Sequence, residues 1–175
     1  MKGRSVLWSD RSGFTIIELI VACAIIAILG SITVAGFSVW LPSYELNRAV
    51  RDLYANMQQA KMAAIKEQRD CFIKFTPNVG YEVTGVTRTV VFSEEYGRGG
   101  VRFGGAPGAT PTPPANGYEP ITITFNSRGG INETAPTNGY WAYLTNEKGS
   151  AYYRVGPRST GVIRLQKYLS SSYQG

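Results

Sequence analysis

From Phe14 to Leu41 the chain carries one charged side chain, Glu18, within an otherwise apolar run. A helix needs about 20 apolar residues to cross a hydrocarbon core, and this run is longer than that. One membrane span is expected, over residues 14–41, and no second. A carboxylate at the centre of such a span costs about 2.5 to 3.5 kcal/mol on insertion scales, so a residue of this kind has a partner and a role.

Residues 1–13 precede the run and contain Lys2, Arg4, Asp10 and Arg11. Basic residues stay on the cytoplasmic side, so this end remains inside and the bulk of the chain is exported. A secretory signal is cut at small residues after its apolar segment. The candidate sites, Ala22-Cys23-Ala24 and Thr33-Val34-Ala35, lie within the run itself. Trp40, Leu41, Pro42, Ser43 and Tyr44 after it are too bulky. The apolar helix is therefore expected to remain in the mature protein, with Gly13 as a small residue at its cytoplasmic edge.

A basic leader, a glycine, and then Phe14-Thr15-Ile16-Ile17-Glu18 opening an apolar helix resemble the class III signal of type IV pilins and type II secretion pseudopilins. The resemblance implies cleavage between Gly13 and Phe14 by a prepilin peptidase and N-methylation of Phe14. The chain would be that enzyme's substrate, held in the inner membrane by a single pass with its leader cytoplasmic and its globular part periplasmic, and then moved into a pilus or pseudopilus. Glu18 would pair with the terminal amine of a neighbouring subunit, an attraction that offsets desolvation only when the pair forms. Without the resemblance, a signal peptide or signal anchor with Glu18 near the interface is the alternative.

Beyond the run, Leu46, Val50, Leu53, Met57, Ala60 and Ala64 recur at helical spacing along one face. Arg48, Arg51, Asp52, Gln58, Gln59 and Lys61 fill the rest of the surface. Pro42 is expected to kink or interrupt the helix near Trp40, and Ser43 to cap a fresh turn. An amphipathic half over 42–69 thus follows the apolar half. Leu53 to Lys66 resembles the helix of pseudopilin H and FimT-like minor pilins, with Lys61 where that family often has arginine. The segments Ile123 to Gly129 and Ser159 to Arg164 resemble its two glycine-bearing strand segments.

Residues 70–175 read as β-rich. Apolar and aromatic alternation marks strands at 71–76, 81–84, 89–92, 121–125, 140–144, 151–155 and 162–165, separated by turn residues. That suffices for one sandwich-like or rolled sheet packed on the helix. The expected class is α+β: a pilin-like long N-terminal helix against an antiparallel β-rich domain. Between the third and fourth strands, 97–120 is crowded with glycine and proline and reads as a loop. It is either a surface loop that contacts a neighbouring subunit or a disordered one.

Enzymatic readings are poor. The chain has no histidine, which removes histidine-based triads and metal sites. No catalytic residue, metal or cofactor is expected. Glu94 and Glu95 are adjacent and, on a strand, would face opposite ways, so they read as a solvated turn. Cys23 in the span and Cys71 past the helix are too far apart to pair within one chain; Cys23 reads as a small apolar residue and Cys71 as a strand residue, with an intermolecular role as the alternative. Ile20-Val21-Ala22-Cys23 looks like a lipobox, but Glu18 interrupts the apolar segment it would need.

The chain's net charge is +6; losing Lys2, Arg4, Asp10 and Arg11 with the leader leaves 15 basic and 11 acidic residues, or +4. Arg154, Arg158, Arg164 and Lys167, interleaved with Tyr152, Tyr153 and Tyr168, are candidates for following a nucleic-acid backbone. Some FimT-like minor pilins are linked to DNA uptake through a C-terminal G-R-x-R segment. Gly161-Val162-Ile163-Arg164 stands in its place here and lacks the first arginine. Two functions therefore remain: a structural subunit assembling with other pilins or pseudopilins, and a DNA-binding minor pilin on such a filament.

Overall fold

The structure, a computed structural model, describes residues 13–97, 100–134, 136, 139–169 and 172–174, with residues 32–39 described by backbone alone. The expected leader, Gly13 apart, lies outside the described residues, and Lys2, Arg4, Asp10 and Arg11 with it. The chain forms two compact units divided between Ser38 and Val39.

Helix α1 spans Ile16–Glu67. In the first unit its apolar side chains are exposed on every side, Ile16, Ile17, Leu19, Ile20, Ile25, Ile26 and Leu29 among them. A helix that is apolar all round is stable only when lipid or protein covers it. Among the described residues no helix is long and apolar enough to cross a membrane.

In the second unit the helix is amphipathic. Leu46, Val50, Leu53, Met57, Ala60 and Ala64, the predicted face, are all buried, joined by Ala49 and Asn56. The expected break at Pro42 does not occur, and helix continues through it. Proline forfeits one backbone donor, a local cost offset by burial of Pro42 itself and of the next turns of the helix. Ser43 starts no new helix; its carbonyl accepts a bond from Asn47 Nδ2 at 2.8 Å.

All seven predicted strands form: β1 (Cys71–Thr76), β2 (Gly80–Val83), β3 (Arg88–Val91), β6 (Thr122–Phe125), β7 (Trp141–Thr145), β8 (Tyr152–Pro157) and β9 (Ile163–Leu169). Three short ones join them: β4 (Arg102–Phe103), β5 (Tyr118–Glu119) and β10 (Ser172–Gln174). They build two antiparallel sheets. The first is ordered β3-β2-β1-β6, and the second β10-β9-β8-β7-β4 with β5 also on β7. In β1 the strand period of two puts Cys71, Ile73 and Phe75 inside and Lys74 and Thr76 outside. Residues of both sheets, including Ile73, Phe75, Val83, Ile123, Ala142, Leu144 and Val155, share one core with the helix face. Within that core Asn56 donates to the Tyr81 hydroxyl at 2.7 Å, which satisfies a buried amide.

The second sheet is buried on both faces along β7. Ala142 and Leu144 face the helix core, while Trp141 and Tyr143 pack beneath Ala106, Ala109 and Tyr173. The glycine- and proline-rich stretch is therefore no bare loop. Residues 98 and 99 lie outside the described residues, but beyond them the stretch supplies two strands and covers the outer face of the sheet. Close approach accounts for Gly105, where a Cβ would stand 2.1 Å from Pro113 Cγ. Glu94 and Glu95 lie at a turn, as expected, and the turn is helical. They end a one-turn helix, α2 (Phe92–Glu95), which turns Glu95 to Arg88 at 3.2 Å.

Candidate functional site

The charge that dominates the apolar run sits in the first turn of α1. Glu18 Oε2 accepts the Thr15 backbone N–H at 3.1 Å and the Thr15 hydroxyl at 3.0 Å, and the Glu18 N–H donates to Thr15 Oγ1 at 3.3 Å. These are the reciprocal bonds of a capping box, which satisfies donors that a helix start otherwise leaves open. The signature Thr15-Ile16-Ile17-Glu18 was readable from the sequence, yet a view of Glu18 as an isolated charge passes over Thr15. Glu18 Oε1 makes no hydrogen bond among the described residues.

Phe14 stands directly before this turn, 87% exposed. Gly13 has open space around its Cα, with nothing within 4 Å of a Cβ built there. The Gly13–Phe14 bond and the Glu18 carboxylate therefore lie within six residues of one another, across the start of α1. Phe14, Ile17, Glu18, Val21, Ala22 and Ile25 line a shallow groove of about 310 Å³ along this helix face. The carboxylate is set at the head of an apolar strip.

The C-terminal basic residues divide into two environments. Strands β8 and β9 pair Arg154 with Gln166 and Gly156 with Arg164. Arg154 is buried: its Nε donates to Gln166 Oε1 at 2.8 Å, and its guanidinium lies 4.2 Å from the Trp141 ring centre and 4.6 Å from that of Tyr173. Arg164 also lies over Trp141, at 4.5 Å. Cation–π contact of this kind is worth more when the cation is desolvated. Burial, and then the Arg158 and Arg154 charges, holds Arg164 below the usual guanidinium range. Arg158 and Lys167 are exposed, and Lys167 lies 5.8 Å from the Tyr153 ring. Arg154 thus serves packing, whereas Arg158 and Lys167 face solvent. Sequence alternation alone did not separate them, since the covering layer comes from residues 104–117 and β10.

The helix and the two glycine-bearing segments meet at one place. Lys61 Nζ donates to the Gly161 carbonyl at 3.0 Å. Gly129 at φ +78° lies against Lys61 and Ile65, and Gly161 at φ +77° approaches the Gly129 carbonyl so closely that a Cβ would stand 1.7 Å from its oxygen. Only glycine fits such a contact in the left-handed region.

Among the described residues no group of His, Cys, Asp or Glu side chains is arranged to hold a metal. Two family models match the chain. Residues 8–34 match the family model of the prokaryotic N-terminal methylation motif. Residues 49–161, more than half of the chain, match that of the type II transport protein GspH. No curated protein and no solved structure matches the chain.

Proposed function

Because this chain belongs to the type II transport protein GspH family of pseudopilins and minor pilins, whose members are structural, we propose that it is a filament subunit anchored by a single pass and matured at its own helix start. A prepilin peptidase cuts between Gly13 and Phe14, and Phe14 is then N-methylated. The segment 14–41 crosses the inner membrane with residues 1–13 cytoplasmic, and 42–175 is periplasmic. The subunit leaves the bilayer when its Glu18 carboxylate meets the amine of a neighbouring subunit's first residue.

The observation that carries this reading is the placement of Glu18 in the capping turn beside Phe14, with one oxygen committed to Thr15 and the other making no hydrogen bond among the described residues. A carboxylate so held is pre-oriented for an ammonium at the helix start, and charge pairing in an apolar setting rewards that orientation. The test is Glu18→Gln, which keeps an oxygen for Thr15 but removes the charge. Membrane insertion and leader cleavage should be unchanged while incorporation into filaments is lost. Normal incorporation would refute the pairing role.

DNA contact during uptake is a second reading, supported by the exposed Arg158 beside the half-buried Arg164, whose Nε is without a partner among the described residues, and by Lys167, exposed from the other face of β9. A gel shift with the full chain in detergent at low salt tests it. Binding that weakens on Arg158→Ala with Lys167→Ala supports the reading, and no shift at low salt removes it.

A further inference from the structure

Directly after the apolar run, α1 carries a polar and aromatic groove of about 530 Å³ on the face opposite its buried one. Trp40, Tyr44, Arg48 and Arg51 stand at spacings of four, four and three, which puts them on one side of a helix. Trp40 and Tyr44 are both more than half exposed, and their rings stack at 4.9 Å with planes 24° apart. Tryptophan and tyrosine side by side present apolar faces together with polar edges, which suits a boundary that is apolar on one side and wet on the other.

The charges of the groove are unevenly spoken for. Asp52 accepts the Tyr96 hydroxyl at 2.6 Å, and Arg48 reaches it only at 3.7 Å with its side chain 55% exposed. Arg48 also lies 5.5 Å from the Tyr96 ring. Arg51 makes no ion pair among the described residues. The groove therefore presents two guanidiniums against a carboxylate already engaged. A guanidinium's donors match the geometry of a phosphate.

We infer that Trp40, Tyr44, Arg48 and Arg51 form a headgroup-binding site for anionic phospholipid at the periplasmic surface of the bilayer. The inference rests on the single-pass reading above. Trp40 and Leu41 then close the hydrocarbon layer, Tyr44 lies about 5 Å further along the helix and Arg48 about 10 Å. An interfacial layer is roughly 5 to 8 Å deep, and tryptophan and tyrosine concentrate there. Helical side chains lean toward the N-terminus, so Arg48 and Arg51 rotate back toward the phosphates along their own stems. A second copy of this basic chain is a poorer occupant, because it offers the two guanidiniums a net positive surface. The site would hold the subunit at a fixed depth and rotation before it enters a filament.

The test uses the full chain in phosphatidylcholine vesicles doped with an equal mole fraction of dibrominated phosphatidylglycerol or dibrominated phosphatidylcholine. The difference between wild type and Trp40→Phe isolates quenching of Trp40. The anionic lipid should quench Trp40 more strongly, by up to about fivefold for each guanidinium that engages. Arg48→Gln with Arg51→Gln should bring the two lipids to parity, with unchanged helical circular dichroism, and high salt should do the same. Equal quenching in the wild type overturns the headgroup site alone. Quenching by neither lipid in a chain that does not float with the vesicles overturns the single-pass reading as well. Disulfide formation between copies of a Tyr44→Cys variant, at equal yield in both lipids, assigns the groove to a second copy and overturns the proposal.

Discussion

Lys61 and Gly161, 100 residues apart in the chain, are joined by a hydrogen bond from the lysine ammonium to the glycine carbonyl at 3.0 Å. The bond ties the amphipathic half of α1 to the turn between β8 and β9. The Gly161 carbonyl is open to the helix because the residue has no Cβ and adopts φ +77°. Helix, first glycine segment and second glycine segment are thereby stacked at one point.

Replacing Gly161 with alanine should destabilise the protein by at least ~2 kcal/mol, from a left-handed φ together with contact against the Gly129 backbone. Lys61→Met removes only the charged hydrogen bond, for which about 1.5 to 3 kcal/mol is expected. Urea unfolding of the two variants in the same detergent measures both. A Gly161→Ala variant as stable as wild type would mean that the segment shifts freely.

Asn56 and Tyr81 form a pair within the core. Tyr81→Phe leaves the buried amide without its partner and should cost about 1 to 3 kcal/mol. Adding Asn56→Leu removes the orphaned group, so the double variant should be more stable than the sum of the single effects implies. Strict additivity in a double-mutant cycle would contradict the coupling.

Tyr173 holds the covering layer of the second sheet in place. Its ring packs on Tyr143 at 5.4 Å, and its hydroxyl accepts the Ala106 N–H at 3.0 Å. Tyr173→Ala should raise amide exchange at Ala106 and Ala109 well before it affects β1 or β2. Unchanged protection at Ala106 would show that the stretch is held by other contacts.

Stability should fall at alkaline pH through the core tyrosines. Burial pushes the Tyr81 and Tyr96 phenols up from the ordinary value of 10.0, and for Tyr96 the bond to Asp52 adds to this. Each keeps its proton in the folded state at a pH where the unfolded chain has lost it. The folded state thus binds more protons above pH 10, and stability declines from there by about 1.4 kcal/mol per pH unit for each tyrosine. It is fully present below that pH. Unfolding midpoints across pH 8 to 11.5 check this, and Tyr96→Phe should reduce the slope.

Local pattern carried much of this protein in its sequence. The helix face Leu46, Val50, Leu53, Met57, Ala60 and Ala64 was legible because a 3.6-residue period needs no partner to be seen, and the seven main strands were legible through alternation. The motif around Gly13, Phe14 and Glu18 was legible for a similar reason, since its residues are contiguous. Even the capping bond from Thr15 to Glu18 spans only one turn.

What tertiary structure decided is which side chains have a second layer over them. Arg154 and Arg158 look alike in sequence. One is buried between Trp141 and Tyr173 and the other faces solvent, because a glycine-rich segment some 50 residues earlier and the C-terminal strand close over β7 and β8. The gathering of the strands into two sheets around one core with the helix face has the same origin. Each depends on burial by distant residues, and the free energy of burial is set by what covers a surface rather than by the sequence on either side of it.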